Sequence, residues 1–230
     1  MTTTNSKYVL TDDDLTYYVN KWCGHNNIDK LRKETKQGRS HTYIGFWGDD
    51  DYQSNFYHAP FKAQLPDGSW FNFDYSEQYF MHVKAVVFND VNIDSQILNE
   101  GLQPIQYKQL GREVHNFNTD TWNTESYKAM FTACFHKFIQ NEDICSQLMS
   151  TKNAVLVECS PYDDIWGIKM GKTDKNGKPT TWNKYSTWKG ENRLGFILMD
   201  VRDAIKDYAI RDYNKRMSAI ENIESGDDYE

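Results

Sequence analysis

The spacing of apolar residues changes character near position 43. Residues 1 to about 40 are polar and charged, with one short helix expected after Thr11 or Asp12 and a loop from Thr35 to Ser40. Tyr43-Ile44-Gly45-Phe46-Trp47 is apolar and of strand length, and the acidic loop Gly48 to Asp51 ends it. Ala59 to Leu65 and Ser69 to Phe73 predict a hairpin across Pro66-Asp67-Gly68, where glycine accommodates positive φ.

Helical periodicity then takes over. From Ser76, the positions Tyr79, Phe80, Val83, Val86 and Val87 form an apolar stripe suited to a core-facing helix. Ile93 to Asn99 and Ile105 to Leu110 predict short helical pieces. A long helix from about Glu125 to Gln140 buries Tyr127, Met130, Phe131, Cys134, Phe135 and Phe138, and Asp143 to Ser150 adds another. Ala154 to Cys159 is β-branched and of strand length. Lys172 to Lys189 reads as a mobile loop. A last helix opens near Arg193 with Leu194, Ile197, Leu198, Val201, Ile205 and Tyr208 inward, and its acidic end, Glu221 to Glu230, is expected to fray. The sum is an α+β chain: one compact, mostly helical domain with a small β-sheet and no internal repeat. Residues 1–42 read as an N-terminal extension, 43–212 as the domain and 213–230 as an acidic tail.

Composition narrows the function. A net charge of −7 over 230 residues argues against a broad nucleic-acid footprint, which relies on many lysine and arginine contacts to phosphate, but leaves room for one nucleotide in a local basic pocket. No apolar run is long enough for a membrane span, and Met1 to Ser6 lacks the pattern of a signal peptide. Cys23, Cys134, Cys145 and Cys159 have no CxxC spacing, which predicts free thiols in a reducing cytoplasm. His25, His41, His58, His82, His115 and His136 have no HExxH or HxH spacing, so most are expected on the surface and no metal is expected. No Gly-x-Ser-x-Gly occurs to suggest a nucleophilic serine.

One helix carries candidate chemistry. Within Ser76-Glu77-Gln78-Tyr79-Phe80-Met81-His82-Val83-Lys84-Ala85, Glu77 and Lys84 share an azimuth two turns apart, with Met81 between them. At roughly 10 Å they are too far apart for an i,i+4 ion pair, but the two could hold the ends of one small polar ligand. A glutamate following a Ser76 cap also suits a helix start on electrostatic grounds alone.

Four further segments change the weighting. They are Gln109-Leu110-Gly111-Arg112-Glu113-Val114 with Trp122 beyond it, Lys137-Phe138-Ile139-Gln140-Asn141, Val157-Glu158-Cys159-Ser160-Pro161-Tyr162-Asp163-Asp164-Ile165-Trp166-Gly167, and Trp188-Lys189-Gly190-Glu191-Asn192-Arg193-Leu194-Gly195 running on to Arg202. In this order and spacing the chain resembles the NADAR family, the YbiA-like N-glycosidases, from about Tyr43 to Ile210. Residues 1–42 and the Lys172 to Trp188 loop look like additions to the family core.

The resemblance implies a small α+β enzyme, without a cofactor, that cleaves a C–N bond at a ribose anomeric carbon. Its substrates would be riboflavin-pathway phosphoribosyl intermediates or, alternatively, ADP-ribosylated guanine, so nucleic acid enters only as an ADP-ribosylated substrate. A non-catalytic binder of ADP-ribose-like nucleotides is a third reading. Glu77 matches the family's catalytic glutamate. Lys84 is a phosphate-binding charge or an amine that attacks C1′ to give a Schiff base. Asp164 matches the second acidic position, with Asp163 a near alternative. Trp122 and Trp166 offer flat faces to a base, against core packing as the rival use. Arg112 is a candidate phosphate clamp, against a helix-end salt bridge. Asn192 and the backbone N–H groups from Gly190 to Gly195 form a candidate anion site at a helix start. Phe46 and Asn55, the latter in Ser54-Asn55-Phe56, recur in the family near the sugar pocket.

Overall fold

The computed structural model describes residues 11–99 and 101–226, so the expectations for Met1 to Ser6 and for the last four residues fall outside the described residues. In chain order the elements are α1 (Asp12–Trp22), α2 (Ile28–Lys36), β1 (Tyr43–Phe46), β2 (Phe61–Gln64), β3 (Trp70–Phe73), α3 (Ser76–Val87), α4 (Val91–Ile97), α5 (Pro104–Glu113), α6 (Thr119–Gln140), α7 (Glu142–Ser150), β4 (Val155–Glu158) and α8 (Arg193–Gly226). This is an α+β domain, and its sheet content is two separate pairs. β1 runs parallel to β4 with Tyr43 opposite Val155 and Phe46 opposite Glu158, while β2 and β3 form the antiparallel hairpin. No described helix is long and apolar enough to cross a membrane.

Local chemistry explains where the boundaries depart from the hydrophobic pattern. The polar stretch after α1 folds into a second helix because Asn27 caps it, accepting from the Lys30 N–H. α6 begins well before Glu125, because Asn118 accepts from the Thr121 N–H and opens the helix there. α8 runs through Gly226, past the expected fraying point. Tyr75, and not Ser76, holds the cap position of α3; Ser76 lies fully buried in the first turn.

The core forms where α3 packs on α5 and α6, α6 on α8, and α8 on β4. Phe131, Phe135, Phe138, Leu156, Ile197 and Val201 fill it with essentially no exposure. The N-terminal helices join this body. Tyr18 sets its ring edge-on to Phe135 at 5.2 Å, and Lys21 pairs with Asp207 at 2.7 Å. Asp200 on α8 accepts from the backbone N–H groups of Gly24 and Asn26 at 2.8 and 2.7 Å.

The segment from Lys172 to Lys189 is built, contrary to the expected mobile loop. Thr173 bridges to Pro179, a 3₁₀ turn spans Tyr185–Thr187, and the Trp188 indole donates to the Trp182 carbonyl at 2.7 Å. Trp182 and Trp188 pack beside Val155, Val157 and Phe196 in a second apolar cluster. The aromatic content of this segment anchors it, and its five lysines remain outside as exposed charges.

Candidate active site

The parallel pairing of β1 and β4 brings Phe46 and Glu158 out on one edge, and the first turn of α3 carries Glu77 to the same region. Glu77 is 5% exposed. Its backbone N–H donates to the Asn55 carbonyl at 3.3 Å, and the Asn55 side chain is a hydrogen-bond partner of its carboxylate. Burial raises the Glu77 carboxyl to about 7, against the favourable fields of Lys108 and Arg112, with Asp163 raising it further.

Glu158 faces the same charges. Burial raises it to about 8, Asp163 and Glu77 add repulsion, and Lys108 opposes them. Its Oε2 is shielded from water and has no hydrogen-bond partner among the described residues, and the same holds for the Ser76 hydroxyl. Unpartnered buried oxygens of this kind are uncommon and are satisfied when a ligand or water occupies the site. Glu158 was legible only as part of a quoted segment. The segment alone assigns it no role, and the strand pairing is what places it beside Phe46, within the field of Glu77.

Lys84 closes the group. Its ammonium donates to the Gly111 carbonyl at 2.6 Å and stands 4.3 Å from the Phe117 ring centroid and 5.9 Å from that of Trp122. Burial lowers its pKa while the Glu77 charge raises it, so the half-buried amine is more readily deprotonated than an ordinary lysine. Phe80 lies between Trp122 and Trp166, with centroids at 5.0 and 5.1 Å. Both tryptophans are half-buried, so each combines the packing role with a partly open face. Trp47 and Tyr162, exposed beyond the ends of β1 and β4, sit 6.3 Å apart and add an aromatic rim.

Other expected residues take different positions. Asp164 is exposed and paired with Lys169 at 2.7 Å, which lowers its pKa. It is Asp163 whose field reaches both glutamates, while its Oδ1 accepts from the N–H groups of Ile165 and Trp166 at 2.9 and 2.8 Å. Phe46 is buried in the main core, and its carbonyl accepts from the Cys159 N–H at 2.8 Å. Arg112 is exposed at the end of α5 and acts on Glu77 through its charge.

The expected anion site at the start of α8 is closed. The N–H groups of Glu191, Asn192, Arg193 and Leu194 donate to the carbonyls of Asp164, Gly167, Ile165 and Trp166. A Cβ on Gly190 would meet the Gly167 carbonyl oxygen and the Asp164 backbone, so only glycine allows this approach. Asn192 is fully buried, at 0% exposure and φ 56°. Its Oδ1 accepts from the Glu158 N–H and its Nδ2 donates to the Leu156 carbonyl, each at 2.9 Å. Asn192 therefore positions Glu158, with both carboxamide atoms engaged by the backbone of β4.

Lys137 is a further positioning residue. It is 1% exposed, burial lowers it to about 8, and its ammonium donates to the Ser54 carbonyl at 2.8 Å. Gln140 exchanges two hydrogen bonds with the Lys62 backbone at 2.8 Å, and Asn141 donates to the Pro60 carbonyl at 3.0 Å. The Lys137-to-Asn141 segment thus fixes the 54–62 chain that presents Asn55 to Glu77. A lysine inside an apolar helix stripe was the signal in the sequence. Among the histidines, His25, His58 and His115 are exposed while His82 and His136 are buried, and His82 pairs with Asp94 at 2.6 Å. Among the described residues no group of three His, Cys, Asp or Glu side chains is placed to hold a metal ion.

With this geometry in place, comparison with known proteins decides the family. The family model described as the NADAR domain matches residues 45–206. This chain belongs to the NADAR family. Protein irg-1 of Caenorhabditis elegans is 34% identical over 180 residues, 74% of this chain and 82% of the relative. N-glycosidase R617 of Acanthamoeba polyphaga mimivirus is 34% identical over 167 residues, 70% of this chain and 95% of the relative. The NMR structure of the Escherichia coli protein YbiA superposes with a TM-score of 0.56 at 27% identity, covering 75% of this chain and 89% of that one. As a NADAR protein with relatives of this name, the chain is an enzyme of the N-glycosidase class.

Proposed function

We propose that this NADAR protein hydrolyses the bond between ribose C1′ and an amine or base in a phosphoribosyl or ADP-ribosyl compound, with riboflavin-pathway phosphoribosylaminopyrimidines as the favoured substrates. The single observation that carries this reading is the pair of buried carboxyls, Glu77 and Glu158, both raised into the neutral range and sharing the fields of Lys108 and Asp163. Two carboxyls that repel one another divide acid and base roles between them.

In the proposed reaction Glu77 is the carboxylate and Glu158 the protonated acid. The C1′–N electron pair leaves with the nitrogen, which takes the Glu158 proton. Positive charge builds on the ribose and is stabilised by the Glu77 carboxylate. Water adds to C1′ and yields its proton to a carboxylate. Alternatively the neutral Lys84 amine, favoured by its depressed pKa, adds to the C1′=N carbon of the ring-opened substrate. Its proton passes to the substrate nitrogen, which leaves with the C1′–N pair, and water hydrolyses the lysine Schiff base to the free sugar aldehyde and the lysine. The basic side chains Lys108 and Arg112 are the candidates for the 5′-phosphate, since backbone N–H groups of Glu191, Asn192, Arg193 and Leu194 at the start of α8 already have partners. Trp122 and Trp166 would flank the leaving ring.

The test is incubation of the purified chain with a phosphoribosylaminopyrimidine and, separately, with ADP-ribosylated guanosine, measuring reducing sugar phosphate and free base. Release from the first substrate supports the reading. Release from neither would reject it.

A further inference from the structure

A second site stands at the opposite ends of the β1–β4 pair, away from Glu77 and Glu158. A cavity of about 920 Å³ opens there between α2, the chain just before β1, the link from α7 to β4, and α8. Its size falls in the range of small-molecule pockets. None of Glu77, Lys84, Glu158 or Asp163 lines it. The family match begins at residue 45, so the wall from α2 lies outside the matched segment.

The walls carry polar groups that want a partner. Arg202 lines the cavity at 2% exposure. Its Nη1 donates to the Thr151 hydroxyl at 2.7 Å and the Ala154 carbonyl at 3.0 Å. Its Nε is shielded from water and unpartnered, Nη2 has no hydrogen bond among the described residues, and no described carboxylate lies within salt-bridge distance. His41, on a different wall, likewise has a shielded Nε2 without a partner. The charge of Asp203 reaches Arg202 but makes no contact with it, and a buried guanidinium with donors left over is better satisfied when an anion meets it directly.

The surrounding charge has the right sign. Lys30, Arg39 and Lys152 line the same space with Arg202, against Glu34 and Asp203. Both acids already have partners, Glu34 in Arg39 at 2.5 Å and Asp203 in Lys206 at 3.4 Å. Leu31, Phe196 and Met199 give one wall an apolar face. We propose that this cavity binds a phosphomonoester of nucleotide size, with the phosphate toward Arg202, His41 and Lys152 and the flat body against Leu31, Phe196 and Met199. A guanidinium fork with lysine point charges suits a doubly charged phosphate, and the apolar wall suits a ring system. The proposal does not depend on the activity of the Glu77 site.

The full chain is titrated calorimetrically with adenosine 5′-monophosphate, adenosine, inorganic phosphate and citrate, while His41 ring resonances are followed by NMR. The expected result is saturable binding of the monophosphate, at least tenfold tighter than adenosine, with movement of the His41 signals. Inorganic phosphate is expected to compete. The double variant Lys30→Gln/Lys152→Asn, whose changes are polar and partly or fully exposed, should weaken the monophosphate at least tenfold with melting temperature unchanged. Asparagine at 152 tolerates the left-handed backbone found there, φ 52°. Absence of saturable binding, equal binding of citrate or adenosine, binding unmoved in the double variant, or binding that leaves His41 unperturbed would each overturn the proposal.

Discussion

Asn192 holds Glu158 by its backbone. The two carboxamide atoms of Asn192 reach the Glu158 N–H and the Leu156 carbonyl at 2.9 Å each, so the start of α8 is stitched to the end of β4 where the candidate acid emerges. Asn192→Ala removes both bonds and leaves a buried backbone pair unsatisfied. The expected cost is about 2–4 kcal/mol of stability. Urea unfolding of the variant measures it, and an unchanged midpoint would show that the stitch is dispensable.

Glu77→Gln separates catalysis from stability. Loss of the carboxylate is expected to lower kcat by about 10²–10⁴-fold, the usual range for a positioned acid or base. Stability should move the other way at alkaline pH. The folded carboxyl holds its proton up to about 7, whereas the unfolded one releases it near the ordinary glutamate value of 4.5. Between those values the native chain binds more protons than the unfolded one, so wild-type stability falls as pH rises through the window. Glutamine does not titrate. Above pH 7 the variant should therefore be the more stable by about 1–3 kcal/mol, and below pH 4.5 the gap should close. Thermal unfolding at pH 5 and pH 8.5 reads the difference; a variant less stable at both would contradict the burial argument. Asp200 is raised in the same sense and keeps its titration in this variant, whereas Glu158 loses the repulsion of the Glu77 charge, so relief of the pair adds to the gain.

The pH dependence of turnover should report the carboxyl pair. A bell-shaped kcat/KM profile is expected, with two apparent values that belong to the coupled glutamates together. Glu158→Gln should remove the alkaline limb, since the limb arises from ionisation of the proton donor. An alkaline limb that survives in this variant would transfer the acid role to another group.

Lys84 distinguishes two routes. Lys84→Arg keeps a cation but loses a nucleophilic amine, so retained turnover in this variant would confine the residue to charge. In the wild type, borohydride added during turnover should leave a reduced sugar adduct on the Lys84 peptide if the amine attacks C1′. An active enzyme with no adduct by mass spectrometry would decide for direct attack by water.

Lys175, Lys178 and Lys184 sit exposed on the anchored segment before α8. Replacing all three by glutamine is expected to change turnover of a small phosphoribosyl amine less than twofold. On ADP-ribosylated DNA, by contrast, a salt-dependent loss in the same variant would move nucleic acid to the head of the substrates, because phosphate contacts weaken steeply with salt.

Most of the scaffold could be read from periodicity. The hairpin across Gly68 and the strand from Val155 gave positions close to those observed, whereas α3 lies where its periodicity placed it but buries Glu77, Gln78, Phe80, Met81 and Ala85, with only Phe80 of the expected stripe among them. What the sequence hid was long-range pairing. Nothing local says that Glu158 lies opposite Phe46, yet that register delivers the second carboxyl. The start of α8 was misleading for the same reason. Its glycines look like a phosphate cradle until the 164–167 carbonyls are seen filling it. Asp163 and Asp164 differ only in the turn that points one toward the glutamates and leaves the other to Lys169, a choice beyond the reach of composition.

Because the start of α8 is closed by backbone carbonyls, the proposed binding of a substrate phosphate would fall to side chains such as Lys108 and Arg112 on the outer part of α5. Those residues are half-buried or exposed, and replacing them disturbs no buried contact of the kind that Asn192 or Lys137 makes. On that proposal, architecture and substrate choice would rest on separate sets of positions. A lineage carrying this domain would then be free to exchange one proposed phosphorylated ribosyl substrate for another by a few surface changes, while the machinery that breaks the bond stays where it is.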